Sequence, residues 1–427
     1  MTLAAVLLIL VLLICMLLGI PVAWSLIIAS FSAILADGGI PLAVMSQRLF
    51  TGADSFTMLA IPAFIVAGEI MSQGGISKRL IDFASALVGF ISGALSLVTI
   101  VACTFFAAIS GSATATTAAI GGMMYPEMVK RGYPKDYATA VQAIGGTLGP
   151  VIPPSAVAIF YANATGVSAA SLLIAGIVPG LISCVCLCLV AYLIARKRQF
   201  PRDKHFSFKL VLKEFRSALL GLLMPIIILG GIYSGIFTPT ESAIIAVFYG
   251  LIVSVFIYRE LDMAGIWKVL KNAVKSTANL MILVIGAQLF GWLIAYFNIP
   301  GMAADALMGF ASNRYVFLLL ITLLLLIAGM FMEATAIVVI MAPILHPLAM
   351  QFGINPIHFG LVVVFLLSLG IATPPFGPSL FVACSISKEP VTKVSRQIMP
   401  FIGIQIVLAL VLCFIPILST WLPGLMR

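Results

Sequence analysis

Five hydroxyl side chains lie close together in the stretch 109–117, which is otherwise apolar and carries no charge. They are Ser110, Ser112, Thr114, Thr116 and Thr117. Serine and threonine hydroxyls offer oxygen ligands without a fixed charge, which suits a hard cation such as Na⁺. One such hydroxyl in an apolar helix usually bonds back to a carbonyl of its own helix. Five of them beside a glycine predict a cation site instead.

A second unusual stretch, at 145–154, interrupts the apolar sequence with glycine and proline. Its order is Gly145-Gly146-Thr147-Leu148-Gly149-Pro150-Val151-Ile152-Pro153-Pro154. Proline removes an amide donor and clashes with the preceding turn, so a regular helix cannot continue through this stretch. The helix that ends here leaves free carbonyls, which suit a cation. The helix that begins here leaves free amides, which favour an anionic group.

The composition places these stretches in a membrane. The chain has 427 residues, 62% of them hydrophobic and 9% charged, and its mean hydropathy is +1.22. Soluble proteins carry about 25% charged residues, and the apolar runs 3–18 and 315–332 approach the roughly 20 residues that a spanning helix needs. We therefore expect an all-α polytopic membrane protein. Because broken helices at membrane depth need protein or a polar cavity around them, the breaks predict a site.

The remaining composition argues against several other functions. The net charge of +9 does not indicate nucleic-acid binding, because the basic residues lie in loops between spans. The run 3–18 lacks a basic leader and a cleavage site, so we expect a retained span. Cys184, Cys186 and Cys188 alternate, and helical geometry puts residues two apart on different faces, which predicts buried thiols rather than a metal cluster. The sequence shows no His/Asp/Glu constellation at membrane depth, which argues against an enzyme and favours Na⁺ over H⁺ coupling.

The second half of the chain repeats the first when the two are offset by 221 positions. The matching pairs are Pro153-Pro154 with Pro374-Pro375, Gly149 with Gly370, Ser112 with Glu333, and Thr114 with Thr335. Prolines and glycines mark backbone geometry, so their shared register is better support for a repeat than shared leucines. We expect the repeats at 1–197 and 218–427, joined by a basic cytoplasmic linker at 198–217.

Basic residues decide the orientation, because they concentrate on the cytoplasmic side. With the linker inside, 20 of the 23 lysines and arginines fall inside, and 3 fall outside. Both termini then lie outside, and the two halves are inverted. Each half is expected to hold one re-entrant hairpin, with its tip at 110–116 or at 333–336, and one broken transmembrane helix. The arms of the first hairpin are expected to be about a dozen residues each, too short to cross the roughly 30 Å core.

Facing tips and breaks predict two Na⁺ sites with an anionic substrate between them, as in secondary transporters. The residues of the first Na⁺ site are Ser110, Gly111, Ser112, Thr114, Gly145, Thr147, Gly149 and Pro150. Those of the second site are Glu333, Thr335, Gly370, Ala372 and Thr373. Substrate contacts are expected from Ser112, Thr116, Pro153, Pro154, Ala336 and Pro374.

Two acidic residues, Glu333 and Glu69, are expected to have different roles. Glu333 is a functional candidate by default, because acids are rare at membrane depth. Its alternative role is that of a tip residue that only accepts hydrogen bonds from backbone amides. Glu69 lies near the end of a span and is expected to be interfacial.

At these motifs the sequence resembles the large membrane subunit of tripartite ATP-independent periplasmic (TRAP) transporters, the DctM type. The resemblance covers essentially the whole chain and is most specific at Ser110–Thr116, Pro153–Ser155, Gly329–Glu333 and Ala372–Gly377. Family members often carry Asp where this chain has Glu333, so the carboxylate is kept and its reach is longer.

The resemblance implies import of a carboxylated solute across the bacterial inner membrane, coupled to Na⁺ and without a cofactor. Sialic acid is the predicted solute, with a C4-dicarboxylate or another organic acid as the alternative. The implied partners are a small four-helix membrane subunit of the DctQ or SiaQ type, a periplasmic solute-binding protein of the DctP or SiaP type, and membrane lipid, with no nucleic acid. The related divalent-anion/Na⁺ symporters place Na⁺ at each hairpin tip.

The resemblance also implies an elevator-type fold of the ion-transporter superfamily. Its moving body would comprise about 93–162 and 315–387, and its scaffold about 1–92, 171–297 and 397–427. An ion channel is the main alternative of another class, and a membrane-embedded enzyme is a weaker one.

Overall fold

A computed structural model describes residues 3–53, 56–200, 207–299, 301–302, 313–375 and 377–425. Within these ranges the regular structure is helical throughout, with no strand. Eight helical stretches of the described chain are long and apolar enough to cross a membrane. These findings confirm the all-α polytopic membrane fold.

The first half forms twelve helices in the described residues, α4 being preceded by a 3-10 turn. The helices are α1 Leu3–Leu17, α2 Val22–Asp37, α3 Leu42–Ala53, α4 Ala60–Gln73, α5 Ile76–Val88, α6 Ala94–Ser110, α7 Ala113–Lys130, α8 Lys135–Gly146, α9 Leu148–Val151, α10 Ala156–Thr165, α11 Ala169–Ala175 and α12 Ile177–Arg198. The hairpin is α6 with α7, and the broken helix is α8, α9 and α10.

The second half follows the same plan. Its described helices are α13 Phe208–Tyr233, α14 Pro239–Leu251 with a π-helical continuation Ile252–Ile257, α15 Met263–Tyr296, α16 Arg314–Phe331, α17 Ala334–Gln351, α18 Pro356–Gly370, α19 Pro378–Ser387, α20 Val391–Phe414 and α21 Ile417–Gly424. The hairpin is α16 with α17, and the broken helix is α18 with α19. Residues 201–206 of the predicted linker lie outside the described residues.

The arms of the first hairpin are longer than predicted, with 17 residues in α6 and 18 in α7. The hydroxyl-rich stretch is mostly helix, because the Ser112 hydroxyl accepts a hydrogen bond from the Ala115 amide (3.4 Å) and caps α7. An N-cap of this kind satisfies an amide that a helix start would otherwise leave free. The break is therefore only Gly111 and Ser112.

Gly111 makes the turn at the first tip possible. Its φ is +61°, in the left-handed region that favours glycine. A Cβ on this residue would also collide with the carbonyl oxygen of Pro154, in the broken helix. The first tip therefore packs directly against the break of the first broken helix.

Helix packing includes two groups of contacts, which are joined to each other by contacts of α15 with α17 and of α4 with α6. In the first group, α7, α8 and α19 pack together, α10 packs on α17, and α16 packs on α18. In the second, α2, α3 and α4 pack along α15. The predicted division into a moving body and a scaffold stays a prediction, since these contacts describe packing and not movement.

Candidate functional site

A cavity of about 610 Å³ lies where the two hairpin tips meet. Its lining comes from both tips, both breaks, and the helices α4 and α15. Eight of the predicted site residues line it: Ser110, Gly111, Ser112, Thr114, Pro150, Pro154, Glu333 and Thr335. The structure therefore brings residues of both predicted Na⁺ sites, about 220 positions apart in sequence, to one space.

Ten other predicted residues do not line this cavity. They are Thr116, Gly145, Thr147, Gly149, Pro153, Ala336, Gly370, Ala372, Thr373 and Pro374. Nine of them are buried, and Pro374 is partly buried.

The hydroxyls of the first tip form a connected network. The Ser110 and Thr116 hydroxyl oxygens are 2.9 Å apart, and the Ser112 and Thr114 hydroxyl oxygens are 3.3 Å apart. Thr116 also donates to the carbonyl oxygen of Ser112 at 2.7 Å. Thr116 is fully buried, so it holds the tip in shape, while Ser110, Ser112 and Thr114 present oxygens to the cavity.

Gly149 and Gly370, which match each other in the repeat, allow close packing at the two breaks. A Cβ on Gly149 would lie 2.6 Å from the carbonyl carbon and oxygen of Ser112. A Cβ on Gly370 would lie 2.6 Å from the Cα of Gly329, in the arm of the second hairpin. Each glycine thus lets a hairpin approach the broken helix at backbone distance.

The threonines of the breaks are bonded to their own helices. The Thr147 hydroxyl donates to the carbonyl of Ile144 at 2.6 Å, and the Thr373 hydroxyl donates to the carbonyl of Leu369 at 2.9 Å. The carbonyl of Thr147 accepts a hydrogen bond from the Ser368 hydroxyl. These groups join the two halves and stabilise the helix ends.

The second tip has one capped amide and one free hydroxyl. A Glu333 carboxylate oxygen accepts from the Thr335 amide at 2.9 Å, so Glu333 caps α17 as Ser112 caps α7. The Thr335 hydroxyl is buried and has no hydrogen-bond partner among the described residues. Because such a group is costly to leave unsatisfied, it fits a cation that would accept it as a ligand.

The first turns of four helices contribute to the lining of this cavity. The residues are Ala113 of α7, Ala156 of α10, Thr335 of α17 and Pro378 of α19. A helix N-terminus carries a partial positive charge and free amides, which favour an anion by about 0.3–1 kcal/mol each. Among the described lining residues there are two carboxylates, Glu69 and Glu333, and neither lysine nor arginine. The cavity therefore suits an organic anion held by backbone, with cations beside it.

Sequence reasoning missed the wall of the cavity that α4 and α15 provide. Glu69, Ser72 and Ser276 line it, and the Gln73 amide donates to Glu69 at 3.2 Å. The interpretation of Glu69 as interfacial therefore did not identify its place in the cavity. The available signal was the i, i+3 spacing of Glu69 and Ser72 on an apolar helix, which puts both on one face.

Comparison with known proteins identifies the family. Residues 9–418 match the family described as "Tripartite ATP-independent periplasmic transporter, DctM component". The C4-dicarboxylate TRAP transporter large permease protein DctM of Pseudomonas aeruginosa is 41% identical over 380 residues, which cover 89% of this chain and 89% of that protein. The sialic acid TRAP transporter large permease protein SiaM of Vibrio cholerae is 36% identical over 408 residues, 95% of each chain.

Two further comparisons concern length and fold. The isethionate TRAP transporter permease protein DctMQ of Oleidesulfovibrio alaskensis is 38% identical over 409 residues, which cover 95% of this chain but 64% of that longer protein. The structure of the YdaH transporter of Alcanivorax borkumensis is similar with a TM-score of 0.65 and 16% identity, over 89% of this chain and 88% of that one. That likeness supports the fold alone.

The relatives are transporter permeases, which confirms the expectation that the chain is not an enzyme. The match covers both hairpins, both breaks and the helices that surround them. The chain therefore belongs to the DctM family, the large multi-pass membrane permease component of tripartite ATP-independent periplasmic transporters.

Proposed function

We propose that this permease imports a carboxylated organic acid together with Na⁺. The observation that carries the proposal is the single cavity onto which both hairpin tips and four helix N-termini open. Hydroxyl oxygens and carboxylates suit Na⁺, and helix N-termini suit the carboxylate of the solute. One space thus offers groups for both the ion and the anion.

The cation ligands would come from the two tips. The first Na⁺ would be coordinated by Ser110, Ser112 and Thr114. The second would be coordinated by Glu333 and Thr335. The remaining predicted residues of the breaks do not line the cavity. Their role would be to hold backbone groups of the site in place. The carboxylate of the solute would then lie between the tips, near the first turns of α10 and α19.

Sialic acid is the proposed solute, and a C4-dicarboxylate is the alternative. The relatives named above are a C4-dicarboxylate, a sialic acid and an isethionate permease, so identity does not select one solute. A cavity of about 610 Å³ is within the range of small-molecule sites and accommodates either acid.

Transport would follow an elevator mechanism in the bacterial inner membrane, with both termini periplasmic. The hairpins and broken helices would move as one body against α2, α3, α4 and α15. A small four-helix subunit of the DctQ or SiaQ type would support the scaffold, and a periplasmic protein of the DctP or SiaP type would deliver the solute. In the predicted orientation, the cavity between the tips lies toward the cytoplasm, since Glu69 and Ser72 lie at the inner end of α4.

Uptake by proteoliposomes tests the proposal. Vesicles would hold the chain with its small subunit, and the solute-binding protein would be added outside with labelled sialic acid or succinate. We expect saturable uptake that requires an inward Na⁺ gradient. Flux that does not depend on Na⁺ would contradict the proposal and favour a channel.

A further inference from the structure

A second cavity, of about 570 Å³, lies further along the helices that line the first one. On α15 the first cavity reaches Leu280 and the second begins at Val284. On α17 the corresponding residues are Thr335 and Val339. The two cavities are thus separated by about one helical turn, or about 5.4 Å, on both helices. In the predicted orientation the second cavity is the outer one.

The outer cavity is lined by a positively charged side chain, whereas the first cavity is lined by carboxylates. Arg48 of α3 is the one fully charged side chain among its described lining residues, and no aspartate or glutamate is among them. The Arg48 guanidinium carbon lies 5.1 Å from the centre of the Trp292 ring, on α15. This cation–π contact positions a guanidinium whose five N–H donors match carboxylate geometry.

Neutral hydrogen-bonding groups line the same cavity. Gln288 lies one turn from Trp292 on α15, and its partly buried amide side chain lines the outer cavity. Nδ1 of His346, on α17, is 2.8 Å from the Tyr161 hydroxyl, which leaves Nε2 for a ligand. An arginine with an amide and an imidazole forms a donor set for an oxyanion.

We propose that the outer cavity is a second binding site for the carboxylate of an organic acid, occupied before the solute reaches the space between the tips. The inference rests on the proposed function in that the ligand is the transported acid. Arg48 pairs with the carboxylate, and Gln288 and His346 donate to it or to hydroxyls on the same molecule. The acid then moves from the outer cavity, which carries Arg48, to the cavity between the tips, which offers helix N-termini and Na⁺.

Trp292 provides a direct measurement of binding, independent of transport. The full-length chain in phosphatidylcholine nanodiscs would be titrated with succinate and with N-acetylneuraminate while tryptophan emission is recorded. We expect a saturable change that Trp292→Phe abolishes. Because Arg48→Gln removes a charged hydrogen bond to the carboxylate, it should raise the half-saturation concentration roughly tenfold or more.

Two controls separate the alternatives. Arg314→Gln removes another arginine of the predicted outer side, one that donates to the Tyr315 hydroxyl at 2.6 Å, and should leave the titration unchanged. The double variant Ser112→Ala/Thr114→Ala should keep the Trp292 signal even if the inner Na⁺ site is lost. Loss of binding at the inner site and loss of binding at the outer site therefore give different results.

Three outcomes would overturn the outer site. The first is the absence of a saturable change with both acids. The second is an Arg48→Gln titration that matches that of Arg314→Gln. The third is a signal change that appears only when phosphatidylglycerol replaces phosphatidylcholine, without any added acid, which would assign the anion-binding groups to a lipid phosphate.

Discussion

The Ser368 hydroxyl donates a hydrogen bond to the carbonyl oxygen of Thr147, and these two residues are 221 positions apart in the chain. That separation is the offset of the internal repeat, so the two repeats meet at equivalent positions. Ser112 and Glu333, with the same offset, cap equivalent hairpin arms. The shared offset therefore holds for the helix caps of the tips as well as for this contact between the broken helices.

Removing the hydrogen bond between the two halves should destabilise the fold. Ser368→Ala leaves the buried carbonyl of Thr147 without this partner, and we expect a loss of about 1–2 kcal/mol. Thermal unfolding of the purified protein in detergent measures the change. Ser395→Ala is the matched control, because its hydroxyl bonds only to the carbonyl of Val391 in its own helix. Equal unfolding temperatures for the two variants would contradict a contribution from the Ser368 bond.

The two glycines at the breaks should not tolerate a side chain. Gly149→Ala and Gly370→Ala would each place a Cβ 2.6 Å from backbone atoms of a hairpin, and such overpacking costs typically about 1–3 kcal/mol. Gly122→Ala is the control, since a Cβ there meets nothing within 4 Å and alanine is the better helix former. The expected order of thermal stability places both break variants below wild type and Gly122→Ala at or above it. Wild-type stability of the break variants would disprove the close approach.

The substitution Glu333→Gln removes the charge of the second tip but keeps the hydrogen bond that caps α17. The amide oxygen of glutamine still accepts a hydrogen bond from the Thr335 amide, so thermal stability should stay near wild type. Uptake driven by the Na⁺ gradient should fall about tenfold or more, because the carboxylate no longer serves Na⁺. Glu333→Asp keeps the carboxylate and should retain measurable uptake. Full uptake by Glu333→Gln would show that Glu333 acts only as a cap.

The inverted topology predicts opposite accessibility for two equivalent loops. Ser168, after the first broken helix, should face the periplasm, and Lys388, after the second, should face the cytoplasm. In intact spheroplasts a membrane-impermeant maleimide should label Ser168→Cys and not Lys388→Cys, with the wild-type chain giving the background. Labelling of both, or of Lys388→Cys alone, would exclude the predicted orientation.

The fold was largely predictable because its landmarks are proline, glycine and capping residues, whose geometry is local. Pro153-Pro154 and Pro374-Pro375 marked both breaks. The length of the hairpin arms was not predictable from apolar runs, since the cap at Ser112 turns a hydroxyl-rich stretch into helix.

The candidate site was predictable in its tips and in Pro150 and Pro154 of the first break. Ser112 and Glu333 stand out against an apolar background, and both line the cavity. Glu69 did not stand out, because the side of α4 that faces the cavity is set by tertiary packing. Thr147 and Thr373 have suitable chemistry, but their hydroxyls are bonded to their own helices.

The most direct test of Na⁺ coupling at the tips is the Na⁺ dependence of uptake by the double variant Ser112→Ala/Thr114→Ala. Both hydroxyls line the cavity, and Thr420→Ala is the control, because the Thr420 hydroxyl is exposed and bonds to its own helix. Loss of two oxygen ligands should raise the Na⁺ concentration for half-maximal uptake about tenfold or more, which corresponds to about 1.4 kcal/mol, at wild-type expression. A half-maximal concentration equal to that of Thr420→Ala would contradict a Na⁺ site at the first tip.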